Sequence, residues 1–341
     1  MDLNGARILV TGGTGSFGRR FVSTLMRRFK LQRLVIFSRD EMKQYEMQTA
    51  LEEKYGHHEL RFFIGDVRDV ERLEMAMRGI DYVIHAAALK QVPTAEYNPI
   101  ECIRTNVYGA ENVVTAALRC RVKRVIALST DKAASPINLY GASKLAADKI
   151  VIAANNLSGD IGTRFSVVRY GNVLGSRGSV IPLFQKLVRD GAKQVPITDE
   201  RMTRFWITLD QGIDFVISCL GMMEGGEIFV PKIPSMRMVD LAKAVAPGLE
   251  QRIVGIRPGE KLHEVMITSD DARMTVELPD RYVIQPSITF WRSEQAGLPG
   301  AKKVAEDFSY TSDNNNQWLD ASALNKLLAD GVGEPAGVAG R

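Results

Sequence analysis

The chain has 341 residues, enough for one large α/β domain or two smaller ones. Hydrophobic residues make up 45% and charged residues 25%, an ordinary soluble balance, and 44 Lys+Arg against 40 Asp+Glu leave a net charge of +4, too even to argue for a nucleic-acid partner. Three cysteines without a C-x-x-C pair (Cys102, Cys120, Cys219) predict reduced thiols and a cytoplasmic location, no apolar run reaches membrane-spanning length, and no metal is expected.

Arg7-Ile8-Leu9-Val10-Thr11 reads as a buried strand that meets glycines at once, which excludes a secretory signal. Gly12, Gly15 and Gly18 follow as G-x-x-G-x-x-G, with Thr14, Ser16 and Phe17 between them, and then a helical stretch from Arg19 to Phe29. Between a strand and a helix, Gly12 permits a tight turn, Gly15 lets the backbone approach a pyrophosphate, and Gly18 allows close helix-on-strand packing. The loop is therefore a candidate dinucleotide site. Apolar runs recur at Leu34–Phe37, Leu60–Ile64, Tyr82–Ala86, Val125–Leu128 and Phe165–Val168, with helical patterns between most of them. This alternation predicts an α/β fold, a Rossmann-type doubly wound parallel sheet with crossover helices on both faces.

The end of the second strand bears on cofactor choice. NAD enzymes usually carry an acid about 20 residues past the glycines. Ser38 and Arg39 fall there, with Lys43 one turn on, and a hydroxyl with two cations suits the 2′-phosphate of NADP; Asp40 leaves NAD open. Asp66 and Val67 follow the third strand and are placed to meet the adenine, Ala86-Ala87-Ala88 after the fourth forms a narrow wall, and Lys90 and Asn106 complete that side.

The fifth strand runs into Ser129-Thr130-Asp131-Lys132, followed by Tyr140 and Lys144 on a helix expected to end near Asn155, before Gly159 and Gly162. Tyr140 and Lys144 stand four apart and share a helix face. An ammonium beside a phenol favours phenolate, so Tyr140 is expected to have a lowered pKa and to act as a base. Asp131 and Lys132 add an acid and a second base, which a simple alcohol oxidation does not need. Beyond Val173 the pattern loosens through Gly175-Ser176-Arg177-Gly178-Ser179, and a polar cluster stands at Arg257-Pro258-Gly259-Glu260-Lys261. The expected division is a dinucleotide-binding domain at 1–174, a smaller substrate region at 175–328 partly interleaved with it, and a disordered Gly/Ala-rich tail at 329–341.

The glycine motif, the Tyr140/Lys144 pair and this layout resemble the extended short-chain dehydrogenase/reductase superfamily. Phe37-Ser38-Arg39-Asp40-Glu41, Ala87-Ala88-Leu89-Lys90-Gln91-Val92-Pro93, Ser129-Thr130-Asp131-Lys132-Ala133, Asn138-Leu139-Tyr140-Gly141-Ala142-Ser143-Lys144, the run Arg169 to Ser179, and Met202-Thr203-Arg204-Phe205-Trp206 resemble the inverting UDP-N-acetylglucosamine 4,6-dehydratases, of the type that opens pseudaminic acid biosynthesis. The resemblance covers residues from about 5 to 328. It implies an NADP-dependent hydro-lyase, a homo-oligomer with a hexamer as one arrangement, and a UDP-sugar site. For that site it implies Lys90, Asn172, Ser179, Val180, Thr198, Arg204, Met238, Arg257 and Glu260, with Arg204 and Arg257 as cations for the diphosphate and Glu260 as acceptor for ribose hydroxyls. It implies Tyr140 as the base for C4 oxidation with Thr130 on the same oxygen, Lys132 as the C5 base and Asp131 as the acid for the departing 6-hydroxyl. A nucleotide-sugar 4-epimerase and a non-catalytic NADP-binding sensor remain as alternatives.

Overall fold

The computed structural model describes residues 1–56, 59–176, 178–289 and 298–331. In chain order the first half comprises β1 (Arg7–Thr11), α1 (Ser16–Arg28), β2 (Arg33–Ser38), α2 (Glu41–Tyr55), β3 (Leu60–Ile64), α3 (Val70–Met77), β4 (Tyr82–His85), α4 (Val92–Tyr97), α5 (Pro99–Ile103), a π-helical turn (Arg104–Tyr108), α6 (Gly109–Arg119), β5 (Arg124–Thr130), α7 (Leu139–Ala153) and β6 (Arg164–Tyr170). Then come β7 (Asn172–Val173), α8 (Val180–Arg189), β8 (Gln194–Ile197), β9 (Thr203–Ile207), α9 (Leu209–Met222), β10 (Ile228–Pro231), β11 (Ser235–Arg237), α10 (Met238–Val245), β12 (Glu250–Ile253), β13 (Val265–Ile267), β14 (Thr275–Glu277), β15 (Arg281–Ile284), β16 (Lys302–Lys303), β17 (Tyr310–Thr311) and α11 (Ala321–Gly331).

Ten strands form one sheet in the order β16-β14-β15-β10-β6-β5-β4-β1-β2-β3. The seven from β3 to β10 run parallel, and β15, β14 and β16 add an antiparallel edge. The expected doubly wound sheet is present, and the apolar runs of its central strands lie buried on both faces, whereas the run Leu60–Ile64 on the edge strand β3 is only partly buried. Four of its strands come from beyond residue 174, so the later chain completes the main sheet as well as building its own small sheets, β11-β9-β7 and β12-β8. A second apolar cluster around Phe184, Trp206, Met236, Leu241 and Leu324 supports those smaller elements.

The helix carrying Tyr140 ends at Ala153 and passes into a short 3-10 turn, and Gly159 and Gly162 follow at φ +44 and +75, which explains the break. The helix α11 reaches Gly331, so residues 329–331 of the expected tail are helical; the rest of the tail, and Arg177, lie outside the described residues. Among the described residues no helix is long and apolar enough to cross a membrane.

Candidate active site

The strand order reverses between β1 and β4, the switch point at which doubly wound sheets bind ligands. A cleft of about 1230 Å³ opens there and runs on to the loops of the later chain.

Its floor is the turn between β1 and α1. Gly12 takes φ +64, and a Cβ there would lie 2.9 Å from the backbone of Ala87. Gly18 packs so closely on Gly13 that a Cβ would come within 2.5 Å. The N-terminus of α1 therefore meets the cleft with no side chain between, the geometry a pyrophosphate needs. Thr14, Gly15, Ser16 and Phe17 line the same wall, as do Ala86, Ala87 and Ala88 opposite. The alanine turn is fixed from behind. Thr11 Oγ1 accepts from the N–H of Ala86 and of Ala87, each at 3.2 Å, and so donates its own proton to His85 Nδ1 at 2.8 Å. Burial, with the charge of Lys144, holds His85 neutral with a pKa of about 3.

Ser38, Arg39 and Lys43 line the far end. Asp40, the acid that left NAD open, lines the same end but is engaged: it caps α2 by accepting from Lys43 N–H at 3.0 Å and pairs with the Lys43 ammonium. Arg39 stays half exposed, 3.6 Å from Asp66. Ser38, Arg39 and Lys43 thus stand together at one end of the cleft. Two expected cofactor residues behave otherwise. Val67 lines the cleft, but Asp66 does not: its carboxylate is taken by Arg68 at 2.7 Å and by Arg39. Asn106, buried in the π-helical turn, spends its amide within the protein. It accepts from Leu89 N–H at 2.8 Å and donates to Leu89 C=O at 2.9 Å and to Ser143 Oγ at 2.9 Å. It braces the loop that carries Lys90 instead of lining the cleft.

Tyr140 and Lys144 both project into the cleft from α7. The expectation that Lys144 lowers the Tyr140 pKa does not hold in the free protein. Burial pushes the phenol up to about 12, and the groups acting against burial are Lys132 and a hydrogen bond with Thr130. Lys144 is itself lowered by burial, opposed by Asp148. Asp148 accepts from Ser129 Oγ at 2.7 Å and lies 3.5 Å from Arg169, so a buried ionic network backs the pair. The i, i+4, i+8 spacing of Tyr140, Lys144 and Asp148 was the signal that could have found it.

The turn after β5 carries the cluster that sets this site apart. Asp131 is fully buried and accepts from Thr130 Oγ1 at 2.9 Å and from Lys132 Nζ at 3.1 Å. Lys132 Nζ lies an equal 3.1 Å from Glu264 Oε1. Burial, then the charge of Glu264, raises Asp131 above the usual carboxylate range. Burial pushes Glu264 upward too, but Lys132 and Arg204 outweigh it and hold Glu264 low. Lys132 is raised, because its two carboxylates overcome burial. In the free protein Lys132 is thus an ammonium and not yet a base. Glu264 was not found by sequence reasoning, although it stands three residues past the Arg257–Lys261 cluster at the edge of an apolar run.

The remaining implied residues, Lys90, Asn172, Ser179, Val180, Thr198, Met238, Arg257 and Glu260, all line the cleft. The Ser179 hydroxyl at the N-terminus of α8 and Glu260 Oε2 are buried without a partner, which suits groups awaiting a polar ligand. Arg204 also lines the cleft, but its guanidinium is spent on the protein. It donates to the carbonyls of Thr203, Leu262 and Lys261 at 2.7, 3.1 and 2.9 Å and lies 3.5 Å from Glu264. It braces the 261–264 segment, leaving Arg257 as the exposed cation of the expected pair.

The fold and cleft define a doubly wound α/β protein with a dinucleotide cradle beside a second, polar binding region, in keeping with the short-chain dehydrogenase/reductase resemblance. Residues 8–286 match the family model described as polysaccharide biosynthesis protein, and the chain belongs to that family. The UDP-N-acetylglucosamine 4,6-dehydratase (inverting) of Campylobacter jejuni subsp. jejuni serotype O:23/36 (strain 81-176) is 55% identical over 331 residues, 95% of this chain and 98% of that one. A UDP-glucose 4-epimerase of Rickettsia akari (strain Hartford) is 42% identical, over 94% of each chain. Among solved structures, Pen from Bacillus thuringiensis superposes with a TM-score of 0.87 at 35% identity, over 97% of this chain and 99% of that one.

Proposed function

We infer that this chain is a UDP-N-acetylglucosamine 4,6-dehydratase that inverts C5, giving UDP-2-acetamido-2,6-dideoxy-β-L-arabino-hexos-4-ulose. The observation that carries this reading is Lys132 in one cleft with Tyr140, its ammonium held by Asp131, which is buried behind the cleft wall. A 4-epimerase uses a tyrosine and a lysine but has no task for an acid and a second base, and a sensor needs none of these groups. The 55% identity to the Campylobacter jejuni dehydratase over nearly the whole of both chains supports the same choice.

The cradle fits a nicotinamide dinucleotide, held by the glycine turn, the alanine wall and Lys144. We propose NADP, because Arg39 and Lys43 stand at the far end and Asp40 is engaged by Lys43. A nicotinamide held there would supply the hydride acceptor for C4 of the sugar and the hydride for C6. Tyr140 is a phenol in the free protein and acts once ionised: as the phenolate it takes the 4-hydroxyl proton, and Thr130 bonds the same oxygen. The 4-ketone makes the C5 hydrogen acidic, because the carbanion is an enolate. Lys132 then takes the C5 proton, and Asp131 gives a proton to the 6-hydroxyl, which leaves as water. Asp131 suits the acid, since its environment favours the protonated form. Tyr140, protonated in the first step, returns a proton to C5 from the face opposite Lys132, and this inverts the centre. Ser179, Arg257 and Glu260 hold the nucleotide diphosphate and ribose. A homo-oligomeric state, a cytoplasmic location and a place at the opening of pseudaminic acid biosynthesis rest on the sequence reading alone.

Proton NMR of the protein with cofactor and UDP-N-acetylglucosamine tests the reading. A new C6 methyl signal with the L-arabino configuration is expected. A galacto product indicates epimerisation, a D-xylo product indicates retention at C5, and an unchanged sugar defeats catalysis on this substrate.

A further inference from the structure

The cluster around Lys132 in the cleft holds one more charged group than the reaction has used. Glu264 has no exposed surface to speak of, its side chain being 2% accessible, yet its carboxylate lies 3.1 Å from the one lysine assigned to the C5 proton. The chain fixes it there from three sides. Its N–H donates to Ser312 Oγ at 2.9 Å, and its C=O accepts from Ser312 N–H at 2.8 Å. Ser312 in turn is tied to Thr203 Oγ1 at 2.6 Å. Arg204 grips the carbonyls of Lys261 and Leu262 just upstream and lies 3.5 Å from Glu264 Oε1. Its other oxygen, Oε2, is buried without a hydrogen-bond partner. A buried carboxylate braced to this degree, with one oxygen still open, is costly to keep unless it has a task.

Resting on the dehydratase reading above, we propose that Glu264 is a positioning residue of the elimination step: it aims Lys132 Nζ at the cleft and receives the proton that Lys132 must lose before it can act on C5. Two carboxylates flank one ammonium, and they are not equivalent. Burial and the facing charge of Glu264 outweigh Lys132 and Thr130, so Asp131 favours the protonated form, whereas Glu264 also faces Arg204 and Lys261 and favours the ionised form. The resting cluster is then a neutral Asp131, an ammonium Lys132 and a carboxylate Glu264.

The protons balance through the cycle. The Lys132 ammonium passes one proton to Glu264, leaving a free amine. The C5–H bond breaks, its proton joins Lys132, and its electron pair forms the C5–C6 double bond as the C6–O bond breaks. The leaving hydroxyl takes the Asp131 proton and departs as water. Afterwards the proton on Glu264 moves by way of Lys132 to Asp131, and the resting cluster is restored. Glu264 never touches the sugar carbons in this scheme; it acts through Lys132.

The test uses the NADP-loaded full chain, wild type beside Glu264→Gln, which keeps the size and an acceptor oxygen but cannot take the proton. Expected for Glu264→Gln is continued C4 oxidation, read as reduced-nicotinamide absorbance that accumulates on mixing with UDP-N-acetylglucosamine. Release of the 6-deoxy product falls roughly a hundredfold, the low end for losing a general base, while KM moves by less than about twofold. Glu264→Asp, with a carboxylate on a shorter stem, regains part of the rate, and it decides the matter if the glutamine variant does not fold. Near wild-type turnover by Glu264→Gln overturns the proposal, as does a variant that loses C4 oxidation along with elimination, since that is the mark of a structural role. A wild type that releases no 6-deoxy sugar defeats the dehydratase reading and this inference with it, whereas an active wild type beside an unimpaired variant defeats Glu264 alone.

Discussion

Asn138 Nδ2 donates to the carbonyl of Gly259 at 2.7 Å, while Asn138 Oδ1 accepts from Gly141 N–H at 2.7 Å. One side chain therefore caps the helix that presents Tyr140 and Lys144 and also holds the Pro258-Gly259 turn against it. Gly259 takes φ +79, and a Cβ there would stand 3.1 Å from Asn138 Cβ, so the turn and the cap are fitted to one another. The reacting side and the substrate side of the cleft meet at this contact.

Asn138→Ala is expected to cost about 1–2 kcal/mol, from a lost N-cap and a lost hydrogen bond. Urea unfolding measures it. The KM for the nucleotide sugar should rise as the 257–261 loop loosens. An unchanged unfolding midpoint would show that the cap carries no stability.

Arg39→Ala should weaken NADP far more than NAD. The lost charge-assisted contact is worth roughly 1.5–3 kcal/mol, about ten- to a hundredfold in affinity. Titration with each cofactor checks this, and equal weakening of both would remove Arg39 from the 2′-phosphate.

Tyr140→Phe should stop every step, because C4 oxidation precedes the rest. Lys132→Ala should leave C4 oxidation partly intact while blocking loss of the C5 proton, so that reduced-nicotinamide absorbance accumulates in a single turnover. In deuterated water the wild-type product should carry one solvent deuteron at C5, and C6 should keep the hydrogen that began on C4. Solvent deuterium in place of that hydrogen would rule out internal hydride return.

His85 makes stability depend on acid. Its folded pKa is depressed to about 3 from the usual 6.5, so the unfolded chain binds the proton first. The stability it contributes is present above pH 6.5 and is lost as pH falls toward 3. Between pH 7 and 5 the loss is about 2 kcal/mol. Urea unfolding at the two values measures it, and His85→Gln should flatten the slope by that amount. An equal slope in the variant would mean that another group governs acid sensitivity.

Much of the site was legible where its chemistry is local. The glycine turn needs only a strand before it and a helix after it, and Tyr140 and Lys144 need only helical spacing to share a face. Thr130, Asp131 and Lys132 are consecutive, and the strand end delivers them together. Residues judged by type at long range fared less well. Arg204 has the fork that suits a diphosphate, but three backbone carbonyls claim it. Asp66 and Asn106 sit at the expected strand end and helix, yet their polar groups are spent on Arg68 and on Leu89 and Ser143.

The sequence by itself determined the doubly wound sheet, the dinucleotide turn and the row of reactive side chains after β5, because each follows from periodicity or short spacing. Tertiary structure alone decided which charges face one another and how strongly water is excluded from them. Glu264 meets Lys132 across 132 positions of chain, through β13 and its pairing with β17. Burial lifts Tyr140 to about 12, and paired carboxylates keep Lys132 protonated. Those protonation states depend on desolvation and on contacts between distant segments, and neither is written in the spacing of residues along the chain.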